Sequence, residues 1–156
     1  KQNNILIVEQ ENKKLGFVGS PKKINQLIIE QIVKEKKVPV IAPLGLDKNN
    51  QVFNINADTA AGSIAKKLNA RRLIIMSDVE GVLDNNKKLI SEVNTNKINE
   101  LIKDETISGG MIPKIKNCLD VASNGVKGVC IIDGRLNHSI LFELLTNAGS
   151  GTLIRE

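Results

Sequence analysis

The chain has 156 residues and carries 22 Lys and Arg against 17 Asp and Glu, a net charge of +5. Its 41% hydrophobic and 25% charged residues exclude a disordered or fibrous chain and predict one domain over residues 1–156. No apolar run approaches the ~20 residues of a membrane span, so no membrane partner is expected. Aromatic residues make up only 2%, with no Trp or Tyr for stacking on bases, and this composition argues against a nucleic-acid partner. The positive charge is better suited to a small anion, and for most of the basic pairs the alternative is a solvated lysine face.

The first half of the chain alternates apolar runs with helical periodicity. A turn-rich passage covers residues 15–21, and a hairpin turn at 47–50 returns through 52–54. The patterns predict strands at 5–8, 38–42 and 72–76, the strand at 38–42 being buried, and helices at 23–36 and 58–68.

The second half continues in the same way. Thr95 is predicted to cap a helix over residues 98–102. The patterns further predict helices at 111–123 and 139–146 and strands at 128–132 and 151–154. This alternation indicates an α/β fold, three-layered αβα, with a largely parallel sheet.

Two polar clusters follow predicted strands, where ligands collect in α/β sheets. In the first, Asn54, Asn56 and Asp58 precede an Ala-rich helix. Helix capping explains part of this cluster, but three polar groups exceed what a cap requires. The second cluster, residues 77–84, is either an acidic hairpin loop or a loop that recognises a flat base beside Ser77.

A third cluster opens the helix at 111–123. The backbone N–H groups of Gly109 and Gly110 suit a phosphate, and Lys114 lies about one turn inside the helix. A solvated helix lysine is the alternative. The chain has one histidine, His138, and nothing near it supports Ser/His or Cys/His catalysis. Phosphoryl transfer needs neither residue type, because positioning and electrostatics supply most of its catalysis.

Together these clusters resemble the amino-acid kinase family. The motifs are NINADTAA at 54–61, SDVEGVL at 77–83 and GGMIPK at 109–114, with IIDGR at 131–135, HS at 138–139 and GSGT at 149–152. The Asn-x-Asn-Ala-Asp form is similar to the acetylglutamate branch. The resemblance implies a carbamate kinase-like fold and transfer of the ATP γ-phosphoryl group to the side-chain carboxylate of N-acetyl-L-glutamate, a step of arginine synthesis. Alternatives are an aminoadipate-derivative kinase of lysine synthesis and a non-catalytic nucleotide-binding or partner-docking module.

The resemblance also implies roles for individual residues. Lys114 matches a lysine that stabilises the transferring phosphoryl group, Asp58 an organiser of the catalytic lysines, and Asn54 a residue that holds the acetylamino acid. ATP, with Mg²⁺, is the expected cofactor, and no side chain is assigned as a metal ligand. The positions that match ATP-binding segments are Ser77, Asp78, Val79, Glu80, Gly81, Val82, Leu83, Thr106, Ile107, Ser108 and Gly110.

Regulation is implied near the end of the chain. His138, Glu143, Gly149 and Gly151 resemble a site for arginine as feedback inhibitor, and a guanidinium is well matched to a carboxylate. The alternative is a solvated helix carboxylate followed by a glycine helix stop. The LGFVG and IIDGR stretches are similar to the cyanobacterial and plastid branch, which implies a PII signalling protein as partner and a bacterial cytoplasmic or plastid location.

One departure from the family pattern concerns the first part of such enzymes. A Lys-x-Gly-Gly strand end, a Gly-Gly loop and a substrate-binding Arg are not present in this sequence. We therefore expect the chain to be the nucleotide-binding half of an amino-acid kinase, without the N-terminal substrate-binding half and inactive alone. The complete enzyme is expected to be a homo-oligomer.

Overall fold

The computed structural model describes residues 4–156, which form two compact units, residues 4–68 and 69–156. Each unit contains a four-stranded sheet with helices, which confirms the α/β fold class. Both sheets mix parallel and antiparallel neighbours. The division of 1–156 into domains stays a prediction.

The first unit is built around a sheet of strand order β2-β1-β3-β4. An antiparallel hairpin pairs β1 with β2, and the turn at 47–50 joins the antiparallel pair β3 and β4, as its Asp47-x-Asn-Asn sequence predicts. The core lies between the sheet and the helices and consists of Leu6, Val8, Ile24, Ile29, Phe53, Ile55 and Ala60. The elements are β1 (Leu6–Gln10), a 3-10 turn (Lys13–Leu15), β2 (Gly19–Ile24), α1 (Gln26–Lys34), β3 (Leu44–Leu46), β4 (Val52–Asn54) and α2 (Ala57–Lys67).

Two expectations for this unit were wrong. Residues 38–42 form no strand, and Val38 and Val40 are 85% and 95% exposed. Apolar, β-branched residues favour a strand, but a strand also needs a neighbour for its backbone. The helix predicted from residue 23 begins at Gln26, because the preceding residues belong to β2 and pair with β1.

The second unit has strand order β5-β7-β8-β6. β7 is central and all five of its residues are buried, as a continuous apolar run predicts. β5 runs parallel to β7, whereas β8 runs antiparallel to it. The elements are β5 (Leu73–Ser77), β6 (Glu92–Val93), α3 (Thr95–Lys103), α4 (Met111–Ser123), β7 (Val129–Asp133), α5 (Ser139–Leu145) and β8 (Gly151–Ile154).

The cap predicted for α3 was misplaced by one residue. Asn94 is the N-cap, and its side-chain oxygen accepts a hydrogen bond from the Lys97 N–H at 2.9 Å. Thr95 is the first helical residue. An Asn side chain satisfies the orphan N–H groups of a helix start at least as well as Thr, which accounts for the one-residue difference.

Candidate functional site

The carboxyl ends of β5 and β7 lie side by side at one edge of the second unit's sheet. Ser77 is in register with Asp133, and the Gly134 N–H donates to the Ser77 carbonyl at 2.7 Å. α4 directly precedes β7 in the chain, packs on it and runs in the opposite direction. The first turn of α4 therefore lies at the same edge of the sheet as the carboxyl end of β7. The topology therefore brings the loops after β5 and β7 and the start of α4 to one place.

The loop after β5 has an exposed and a buried part. Asp78 and Glu80 are exposed, whereas Gly81 and Val82 are buried. The Val82 N–H donates to the Thr152 hydroxyl at 2.8 Å. Gly81 has φ +148°, and a Cβ there would lie 2.5 Å from that hydroxyl oxygen. The buried half thus anchors the loop, and the acidic half faces outward.

A second loop meets the first. The Thr106 hydroxyl contacts Asn85 Oδ1, and the Thr106 N–H and hydroxyl donate to Asp104 Oδ1 at 3.1 and 2.6 Å. These hydrogen bonds lower the pKa of the Asp104 carboxyl. Ile107 is buried and Ser108 is exposed. The segment 106–108 is therefore held beside the end of the loop that follows β5.

The start of α4 is open. Gly109 has φ +56°, and no heavy atom lies within 4 Å of a Cβ built on Gly109 or Gly110. The N–H groups of Met111 and Ile112 form long 3.3 Å bonds to Ser108 and Gly109. Lys114 is half-buried one turn further along. Space, a helix N-terminus and a cation thus coincide, the combination that suits an anion.

Asn54 and Asp58 belong to the first unit. Asn54 ends β4, is exposed, and donates its backbone N–H to the Phe17 carbonyl at 2.8 Å. Asn56 is the N-cap of α2 and accepts from the Thr59 N–H at 3.1 Å. Asp58 lies half-buried in the first turn of α2. Capping therefore accounts for Asn56 and leaves the Asn54 side chain exposed.

Three of the four residues assigned to arginine line one cavity of about 620 Å³ in the second unit: Glu143, Gly149 and Gly151. His138 is exposed, has φ +63° and precedes α5. The Glu143 side chain is only 9% exposed and is held by Arg72 Nη1 at 3.4 Å and the Ser150 N–H at 3.0 Å. It is therefore not a solvated helix carboxylate.

The two glycines of this cavity have structural reasons. A Cβ on Gly151 would lie 2.0 Å from the Ile131 carbonyl oxygen, because β7 and β8 pair closely there. Gly149 has φ +68°, and a Cβ on it would lie 2.9 Å from Glu143 Oε2. Packing thus explains both glycines, whether or not a ligand binds.

Sequence reasoning missed several residues of these sites. Asn85 and Arg72 were not selected, and Arg135 was noted only within a motif. The partners of Asn85 and Arg72 lie 21 and 71 positions away in the chain. Arg135 pairs with Asp133, the last residue of β7, through a local turn that periodicity does not resolve. Across residues 4–156, no group of three or more His, Cys, Asp or Glu gathers as metal ligands, and no helix is long and apolar enough to cross a membrane.

An open helix start at the edge of an α/β sheet agrees with the family comparison. The model of the amino acid kinase family matches residues 2–133, and the chain belongs to that family. It is 73% identical to the acetylglutamate kinase of Pelagibacter ubique (strain HTCC1062) over all 156 residues, which cover 54% of that relative. The chain thus spans about half the length of the curated relatives it matches.

Solved structures support the fold. The protein smu.665 from Streptococcus mutans UA159 superposes with a TM-score of 0.81 at 34% identity, over 97% of this chain and 56% of the other. Carbamate kinase from Giardia lamblia bound to AMP-PNP superposes with a TM-score of 0.67 at 22% identity, over 97% of this chain and 59% of the other. The expected carbamate kinase-like fold is confirmed.

Proposed function

We propose that the chain is the nucleotide-binding part of a kinase that phosphorylates the side-chain carboxylate of N-acetyl-L-glutamate with ATP, for arginine biosynthesis. The observation that carries the proposal is 73% identity to an acetylglutamate kinase along the whole chain. That similarity favours the acetylglutamate kinase over the aminoadipate-derivative kinase and the non-catalytic module. Since the chain covers about half of that relative, activity requires the remaining half.

The reaction joins a carboxylate oxygen to the γ-phosphorus and breaks the bond between that phosphorus and the β,γ-bridging oxygen. The products are an acyl phosphate and ADP. A carboxyl group with an ordinary pKa of about 4.3 is already ionised at neutral pH, so no side chain has to remove a proton. The chain's task is to stabilise charge on the phosphoryl oxygens, which suits Lys114 at the open start of α4.

The other residues with a proposed role lie partly in the second unit and partly in the first. Ser77–Leu83 and Thr106–Ser108 supply the nucleotide contacts of the second unit, with Val82 and Ile107 anchoring their loops from the core. Asn54 holds the acetylamino acid through its exposed amide, and Asp58 orients catalytic lysines. Mg²⁺ would bind together with the phosphates of ATP and would supply charge neutralisation there, and no side chain of this chain is assigned as its ligand.

A hybrid kinase tests the proposal. This chain replaces the matching stretch of the Pelagibacter ubique acetylglutamate kinase, and the acyl phosphate is trapped with hydroxylamine. We expect ATP-dependent hydroxamate with N-acetyl-L-glutamate and little with N-acetyl-L-2-aminoadipate. The unaltered relative is the positive control. A folded hybrid without activity, or one that prefers the aminoadipate derivative, would overturn the assignment.

Feedback by arginine is the regulatory part of the proposal. The cavity at Glu143 also includes Arg72, Glu92 and Arg155, so it offers both signs of charge to a small zwitterion. Calorimetry of the hybrid kinase with arginine should show binding that Glu143→Gln weakens; an unchanged affinity would remove Glu143 from the site. A PII partner, a homo-oligomer and a plastid location stay predictions, and the bacterial relative favours the bacterial cytoplasm.

A further inference from the structure

Arg135 is held in one orientation directly after β7. Its Nε–H donates to Asp133 Oδ1 at 2.9 Å and its Nη2–H to Asp133 Oδ2 at 2.8 Å. The Arg135 backbone N–H also donates to Asp133 Oδ1 at 2.9 Å. The Asp133 side chain is 4% exposed, whereas that of Arg135 is 64% exposed. A buried carboxylate thus fixes a guanidinium whose outer face is open.

The fixed guanidinium retains donor capacity. A guanidinium has five N–H groups, and Asp133 uses two of them. Within residues 4–156, no other acceptor receives a hydrogen bond from the Arg135 side chain. Three N–H groups therefore remain available on a guanidinium that is 64% exposed, and a guanidinium fork matches the geometry of a phosphate.

Two carboxylates act on Arg135 at this edge of the sheet. The neighbouring loop carries Asp78 and Glu80, both exposed, and their negative charges act on Arg135. A nucleotide phosphate chain brought to this loop would meet two carboxylates. The Gly134 N–H bond to the Ser77 carbonyl at 2.7 Å ties the turn that carries Arg135 to that same loop.

We propose that Arg135, fixed by Asp133, binds the phosphate chain of the nucleotide and offsets the carboxylates of the loop after β5. The proposal rests on the proposed function, because it requires a nucleotide at this edge. Arg135 is then a binding residue, and Asp133 is a positioning residue that acts through it. The alternative is that Arg135 only braces the loop.

Nucleotides of different charge separate the two roles. In the hybrid kinase, Arg135→Ala should weaken ATP binding by about 10- to 100-fold, the range for one lost charge-assisted contact. Adenosine, which has no phosphate, should bind within about twofold of the parent, and ADP should fall between them. Calorimetry measures all three. Equal losses for adenosine and ATP, or no loss for either, would overturn the proposal.

Two further variants sharpen the test. Arg71→Ala removes the same charge just before the opposite end of β5 and should leave all three affinities unchanged. Arg135→Lys keeps the charge but loses the two-pronged bond to Asp133, so ATP affinity should stay about fivefold or more below the parent. Full recovery by Lys would overturn the role of Asp133. A parent hybrid that binds no ATP would instead overturn the proposed function itself.

Discussion

The Thr152 hydroxyl accepts the Val82 N–H at 2.8 Å and donates to the Ile90 carbonyl at 2.7 Å. Thr152 is completely buried in β8, 70 residues from Val82. One side chain therefore links Val82 to Ile90, the two ends of the segment 82–90 within the loop that follows β5. The Ile90 N–H, in turn, donates to the Val82 carbonyl at 2.8 Å.

Replacing this hydroxyl should destabilise the second unit. Thr152→Val keeps the shape but leaves the buried Val82 N–H without an acceptor, at a cost of about 1–3 kcal/mol in the free energy of unfolding. Urea denaturation of the chain measures it. Thr152→Ser retains the hydroxyl and should lose clearly less. Equal stability of parent and Val variant would show that the hydroxyl does not hold the loop.

Loss of the cation at the start of α4 should mainly lower turnover. In the hybrid kinase, Lys114→Ala should reduce kcat by about 10²-fold or more, the effect of removing a preorganised stabiliser of transition-state charge. Lys116→Ala removes an exposed lysine from the same helix and serves as the matched control. Steady-state kinetics decide the matter, and a near-normal kcat for Lys114→Ala would contradict its assignment.

Substitutions of Asn54 and Asn56 should affect different properties: the first should affect substrate binding and the second the stability of the fold. In the hybrid kinase, Asn54→Ala should weaken N-acetyl-L-glutamate binding by about 1–3 kcal/mol, because an amide that held this substrate is lost. The affinity for ATP should stay unchanged. Asn56→Ala should instead lower the free energy of unfolding by about 1 kcal/mol, since it removes the cap of α2. Substrate titrations and urea curves of both variants test this. Weaker ATP binding in Asn54→Ala would move that residue to the nucleotide site.

The Cys130 thiol should be inert in the folded chain. Burial, and then the neighbouring Glu143 carboxylate, raise its pKa to about 12 from 9.0. Because the pKa of Cys130 is higher in the folded chain, the stability that this thiol contributes is fully present below its pKa in the unfolded chain. That contribution is lost as the pH rises toward 12. Cys118 is buried as well, and neither thiol forms a disulfide.

Alkylation by iodoacetamide at about pH 8.5, near the ordinary thiol pKa, provides the measurement. The folded chain should retain Cys130 unmodified, and the urea-unfolded chain should be modified at both cysteines. Mass spectrometry locates the label. Rapid labelling of Cys130 without denaturant would contradict the burial of this strand.

Several elements followed directly from the residues. The predicted helix at 111–123 and the strand at 151–154 have the observed limits, because Gly110 precedes the first and Gly151 begins the second. Residues 38–42 have an equally apolar pattern but form no strand, since strand formation depends on a neighbour as well as on side chains. For the site, the sequence selected the segments that reach the edge of the second unit's sheet. It did not select Asn85 and noted Arg135 only within a motif, because their contacts with Thr106 and Asp133 depend on the fold.

By itself, the sequence determined the alternation of helices and strands, the polar segments at their junctions and the motifs typical of the family, because these depend on residues close together in the chain. Tertiary structure alone decided which distant groups meet. Glu143 is held by Arg72, 71 positions away, and Val82 by Thr152. Such pairs are set by strand order and direction, since β8 returns antiparallel to β7 and carries Thr152 back to the loop after β5.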